Sequence, residues 1–170
     1  MPGTQKEVVF RFLAEPTDVN FGGKVFGGAV MKWIDQAGFA CAVGWSGQYS
    51  VTAYVGGIAF ERAISIGDIV EVRARVLHTG TTSMHIAVGV WARNPRGASN
   101  ARTSHCLMVF VAIDEHGTPI PVPALMPANE REQALSDYAK HAADIRREEQ
   151  AAQDANLLDL EAVFGCSLGA

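Results

Sequence analysis

The sequence predicts an α+β domain in which an antiparallel sheet curls around one long helix. Residues 27–45, GGAVMKWIDQAGFACAVGW, are almost wholly apolar and rich in helix formers. Segments between 50 and 114 carry strand-type patterns separated by short turn signals. The resulting order, one strand, one helix and then four strands, belongs to the α+β class.

The elements follow in sequence. KEVVFRFLAEP, residues 6–16, is a β-rich run ended by Pro16, and the turn-prone TDVNFGGKVFGG follows it. From Gly28 to about Val43 the pattern is helical, with Gly44 and Gly47 available to stop it. SVTAYVGGIAF, residues 50–60, reads as a strand kinked at Gly56 and Gly57, because a glycine pair marks a bulge or a close backbone approach. After SIGD, the run IVEVRARVLH places Val70, Val72, Ala74 and Val76 on one face and Glu71, Arg73 and Arg75 on the other. SMHIAVGVWARN, 83–94, alternates similarly; RTSHCLMVFVAID, 102–114, ends almost continuously apolar, as a central strand covered on both faces would. HTGT reads as a hairpin turn and NPRGASN as a longer connection. Residues 1–126 are therefore expected to form the domain, and 127–170 a C-terminal extension. Its charged, Ala-rich part, from about 128 to 150, suggests a solvated helix, and NLLDLEAVF beyond it is expected to be mobile or to dock on another subunit.

A length of 170 residues and 48% hydrophobic content suit one compact domain with a substantial core. The net charge of -4 gives no general pull toward nucleic acid, and no nucleic-acid partner is expected. Cys41, Cys106 and Cys166 are odd in number and form no CxxC pair, which suits a reducing compartment better than a disulfide framework or zinc ribbon. Lys32, Asp35 and Gln36 make the apolar run a poor membrane span, so the expected location is cytoplasmic.

A helix apolar on nearly every face is expected to be enclosed, which makes Asp35 expensive unless it is partnered or used. One reason for its presence is an i,i+3 pair with Lys32. The other is catalysis, with Asp35 lining a cleft at the domain surface or a subunit boundary as general base or nucleophile. Gly27 and Gly28 open the helix, where backbone N–H groups lack intrahelical partners and can hold an oxyanion. GGKVFGG is no phosphate loop, because Lys24 is followed by Val25. There is no GxSxG, and Cys41 and Cys106 sit in apolar runs typical of inert thiols. His85 and His105 are expected to fill strand faces.

PTDVNFGGKVFGGAVMKWIDQAG, residues 16–38, resembles the signature of the hotdog-fold acyl-CoA thioesterases, in which an Asn-containing loop and a glycine pair precede a helix bearing the catalytic aspartate. FERAISIGDIVEVRARVLHTGTTSM, 60–84, and FVAID, 110–114, resemble later strands and turns of that family, so the likeness spans residues 6 to about 122. The resemblance implies a hotdog fold and hydrolysis of acyl-CoA to coenzyme A and a fatty acid without metal or redox cofactor. It implies that Asp35 activates water or attacks the thioester, that the Gly27 or Gly28 amide polarises the carbonyl, and that Asn20 positions substrate or water. It further implies coenzyme A contacts at Arg62, Thr82 and Ser83, and a homodimer with sites at its interface, assembled as a trimer of dimers. Gly56, Gly57 and Ala59 stand where many relatives carry polar or acidic residues, which bears on substrate preference. The competing readings are a non-catalytic acyl-CoA sensor or carrier and, less favoured, a hotdog hydratase, which generally needs a histidine that Asp35 lacks nearby.

Overall fold

The computed structural model describes residues 1–97 and 100–155. Strand β1 (Glu7–Leu13) is followed by a 3-10 turn at Pro16–Asp18 and helix α1 (Gly27–Ser46). Strands β2 (Ser50–Val55), β3 (Ala59–Phe60), β4 (Ile69–Thr79), β5 (Ser83–Arg93) and β6 (Ala101–Ala112) precede helix α2 (Glu130–Ala155). Adjacent strands pair antiparallel in the order β1-β4-β5-β6-β2, with β3 also on β6. This is the expected helix-and-sheet architecture. NLLDLEAVF and Cys166 lie outside the described residues.

The local chemistry explains the boundaries. Gly47 adopts φ 68°, the left-handed conformation, and its N–H closes on Val43 O, so the helix ends there and runs past Gly44. The kinked strand is two strands, β2 and β3. Between them Gly56 N–H donates to Leu107 O at 2.9 Å, and a Cβ on Gly56 would lie 2.8 Å from that oxygen. Only glycine allows this backbone approach.

The inner sheet face carries Val70, Val72, Ala74 and Val76 of β4, Ile86, Val88 and Val90 of β5, and Met108 and Phe110 of β6, all at most 2% exposed. Against them α1 sets Ala29, Val30, Trp33, Ile34, Ala37, Cys41 and Trp45. Phe12 meets Trp33 edge-on at 4.9 Å, and Trp45 Nε1–H donates to Pro123 O at 3.0 Å, tying the long loop after β6 to the helix.

Two expectations change. Within the chain α1 is not enclosed: Met31, Lys32, Asp35, Gln36 and Phe39 are exposed. A single sheet of this width covers only one side of a helix cylinder. The outer row of β4, read as Glu71, Arg73 and Arg75, is also partly buried. Glu71 is 6% exposed between Arg11 and Arg73, while α2 crosses β4 and buries Ser136, Ala139 and Ala143. The extension's helix is therefore solvated on one side only. No helix among the described residues is long and apolar enough to cross a membrane.

Candidate active site

Asp35 lies two turns into α1 on the face the sheet leaves open. Thr52 Oγ1, on edge strand β2, donates to its Oδ1 at 2.7 Å. The expected Lys32 pair is not formed among the described residues; a hydroxyl from the sheet takes its place. Oδ2 has no hydrogen-bond partner among the described residues, so the carboxylate is oriented but not saturated.

Gly27 and Gly28 are the first residues of α1, and no side chain caps this end. Phe26 O accepts from Ala29 N–H at 3.0 Å and Val30 N–H at 3.4 Å, whereas the Gly27 and Gly28 amides have no acceptor among the described residues. Phe26 bears on Gly28, where a Cβ would come within 2.7 Å of its ring. Gly27 opens into a cavity of about 320 Å³ that also takes Phe60, Arg62 and Ser104. Ser104 is 1% exposed, and its Oγ has no hydrogen-bond partner among the described residues. A second cavity of about 370 Å³ shares Arg62 and adds Lys24 and Arg93. Lys24 Nζ there donates to Ser65 Oγ at 2.8 Å.

Asn20 organises the loop ahead of the helix. Its Oδ1 accepts from Gly22 N–H at 2.9 Å and Lys24 N–H at 3.3 Å, leaving its amide NH₂ for other partners. Thr82 and Ser83 lie at the β4–β5 hairpin, whereas Arg62 shares its cavity with Arg93 at the opposite end of β5. Ten strand steps separate Ser83 from Arg93, about 33 Å. One chain thus joins Gly27 to Arg62 and Asp35 to Thr52, but does not bring Arg62 to Thr82 and Ser83.

Thr52 and Ser104 are the site residues that reading the sequence missed. Thr52 gives no signal, because a threonine in a strand is ordinary. Ser104 gives a weak one: a polar residue in the row that continues as Cys106, Met108 and Phe110. Burial keeps the two described cysteines inert, pushing the Cys41 thiol up to about 12 and the Cys106 thiol up to about 11. Among the described residues no group of three His, Cys, Asp or Glu could hold a metal ion.

Residues 22–99 match the model of the thioesterase superfamily. The acyl-CoA thioester hydrolase YciA of Salmonella typhimurium is 37% identical over 123 residues, which make up 70% of this chain and 92% of that protein. The chain is a thioester hydrolase of the hotdog-fold acyl-CoA thioesterase family. A hexameric acyl-CoA thioesterase crystal structure superposes on this thioesterase with a TM-score of 0.83 and 31% identity, over 89% of this chain and 97% of its own. That share of this chain is more than the residues before α2 supply, so the likeness reaches into the extension. An acyl-CoA hydrolase from Staphylococcus aureus, solved with butyryl coenzyme A, coenzyme A and coenzyme A disulfide, gives 0.83 at 25% identity, over 94% of this chain and 98% of its own. Solved forms of the S. aureus protein include alanine mutants of an asparagine, an aspartate fifteen residues later and a threonine seventeen residues after that. Asn20, Asp35 and Thr52 of this thioesterase have the same two spacings.

Proposed function

We propose that this thioesterase hydrolyses acyl-CoA to free coenzyme A and a fatty acid, with Asp35 as general base or nucleophile. The observation that carries the reading is an exposed carboxylate, oriented by Thr52, on a helix whose first two amides are free. The shared spacings of Asn20, Asp35 and Thr52 support it, as do relatives named for the same substrate.

In this reading a Gly27 or Gly28 N–H donates to the thioester carbonyl oxygen as negative charge develops there, and removing such a donor typically costs about 3 kcal/mol. Asp35 takes a proton from water that attacks the carbonyl carbon and passes it to the departing thiolate as the C–S bond breaks, or attacks that carbon itself, expelling the thiolate and forming an anhydride that water then hydrolyses, its proton going to the thiolate. Asn20 positions water or substrate through its free NH₂. Arg62 offsets phosphate charge on coenzyme A, and Thr82 and Ser83 supply polar contacts. No metal or redox cofactor enters the sequence of steps.

Gly28 and Asp35 are separated by about 10 Å of helix rise, more than one carbonyl comfortably bridges between a base and an oxyanion donor. Each complete site is therefore assembled from two copies, one bringing Asp35 and Thr52 and the other its helix N-terminus. The same pairing brings Arg62 of one copy toward Thr82 and Ser83 of the other. Exposed Phe26, Met31, Phe39 and Phe60 supply an apolar contact belt for this homodimer, and three dimers form a hexamer like that of the relative. The hotdog unit spans 1–126, the extension 127–170, and the enzyme works in the cytoplasm.

The test is thiol release from a panel of acyl-CoAs by the full chain and its Asp35→Asn variant. The expected result is turnover that falls by about 10² to 10⁴ in the variant with its melting temperature retained. An unchanged rate in Asp35→Asn removes the mechanism, and tight acyl-CoA binding without turnover by the natural chain would make it a sensor or carrier.

A further inference from the structure

A cavity of about 800 Å³ lies on the sheet face opposite α1, between α2 and the outer surface of β5 and β6. Its floor is the outward row His85, Ala87, Gly89 and Trp91 of β5, about 20 Å from first to last. Ala87 is small and leaves a trough there, whereas the Trp91 ring folds back over Gly89, where an added Cβ would come within 2.5 Å of it. Helix α2 forms one wall with Leu135, Tyr138, Ala142 and Arg146, spaced to share a helical face. Leu107 and Val109 of β6 line the other side.

The charges in this trough are unevenly compensated. Arg73 is paired with Glu71, Arg75 with Glu7 and Glu132, and Arg102 with Glu61. Two arginines of α2 have no carboxylate partner among the described residues: Arg131 near the helix start and Arg146, whose guanidinium lies 4.7 Å over the Tyr54 ring. At the same end His85 is 6% exposed, and its Nδ1 is buried without a hydrogen-bond partner. An unpaired cation at the head of a channel lined in part by Ala87, Leu107, Val109 and Leu135 is the complement of one anionic headgroup on an alkyl chain.

We propose that this trough is a second ligand site, distinct from the thioester site, that binds a long-chain carboxylate. The carboxylate accepts from Arg146, while the chain lies over Ala87 between Leu107 and Leu135 and runs up against the Trp91 ring. A polyphosphate nucleotide fits less well, because the arginines of β4 and β6 already have carboxylate partners and Arg131 lies about 22 Å along α2 from Arg146, too far to share one headgroup. A fatty carboxylate is also what thioester hydrolysis releases, so occupancy would report product level to α2.

The test uses the full chain with hexadecanoate carrying ¹³C at its carboxyl carbon, and a hexadecanoate analogue with a photoreactive diazirine at its tail. Saturable binding is expected in the natural chain and in Asp35→Asn. Affinity should fall by about tenfold in Arg146→Ala, the loss of one charge-assisted hydrogen bond, and more in Ala87→Phe, whose ring fills the trough from a half-buried surface position. Photolabel should fall on peptides of β5, β6 and α2. Four results overturn the proposal: no saturable binding; binding indifferent to both trough variants; label confined to α1 and β2; or displacement from the Arg146-dependent site by coenzyme A at lower concentration than by unlabelled hexadecanoate. A trough occluded by a second copy of the chain would appear as the first of these. None of the readouts depends on turnover, so failure here leaves the hydrolase reading standing.

Discussion

Gly38 and Gly44 both lie in α1, and at each an added Cβ would come within 2.7 Å of a neighbour, yet their alanine variants should shift stability in opposite directions. At Gly44 the neighbour is Oε1 of Gln5, the far end of an exposed side chain that can swing away. Gly44→Ala should gain up to about 1 kcal/mol from replacing a helical glycine. At Gly38 the neighbours are Phe110 Cε2 at 2.7 Å and Cζ at 3.0 Å, and Met108 Sδ at 3.2 Å. Phe110 is fully buried and Met108 is 1% exposed, so neither can retreat without disturbing the core. Overpacking of this kind costs about 1 to 3 kcal/mol. Because both variants gain the same helical preference, the difference between them isolates the packing cost. At roughly 2 to 4 °C per kcal/mol for a chain of this size, the melting temperatures should separate by about 2 to 12 °C, with Gly44→Ala the higher. Thermal denaturation at one fixed protein concentration measures this without a contribution from association. Gly38 is also one turn from Asp35, so a helix lifted off Phe110 strains the Thr52 contact and should slow hydrolysis. If Gly38→Ala melts at or above Gly44→Ala, the close seating of α1 on β6 is wrong.

Further outcomes follow from other contacts. Thr52→Val removes the donor to Asp35 and should lower kcat by roughly tenfold with little change in KM, while Thr52→Ser restores most of it. Hydrogen bonds from Arg11 foremost, and then Arg73, hold the Glu71 carboxyl below its ordinary value of 4.5. A depressed carboxyl contributes stability above that value and loses it as pH falls through the folded-state pKa; Glu71→Gln should thus be less stable at pH 7 and show a flatter acid limb in urea unfolding. Burial, reinforced by the charge of His78, pushes His85 down to about 4 from 6.5. The unfolded chain then takes up a proton that the fold refuses, so stability declines as pH falls from 6.5 to about 4, and His85→Gln should flatten urea midpoints measured across that window.

Local chemistry made several elements readable in the sequence. The β4 alternation of Val70, Val72, Ala74 and Val76 corresponds to the inner face, because a strand's two-residue period maps directly onto a sheet with one packed side. Gly56 and Gly57 marked the break between β2 and β3, and Gly47 was one of two candidate stops for α1. Glu71 was harder to place: its alternating position is outward, but Arg11 arrives from a strand sixty residues away and covers it.

The candidate site divides in the same way. Asp35, Asn20, Gly27 and Gly28 stood out because each departs from its surroundings, a charge in an apolar helix or a glycine pair at its start. Thr52 and Ser104 are ordinary residues for their strands, and only their neighbours distinguish them.

What the sequence alone determined is which segments form helix or strand, where they stop, and which helix carries a carboxylate, since these depend on neighbours one to four residues apart. Tertiary structure decided that Thr52 meets Asp35, that Arg62 joins Gly27 but lies far from Thr82 and Ser83, and that α2 roofs a channel beside Arg146. Those facts depend on strand order and register, and residues distant in sequence acquire a common environment only when the sheet brings them together.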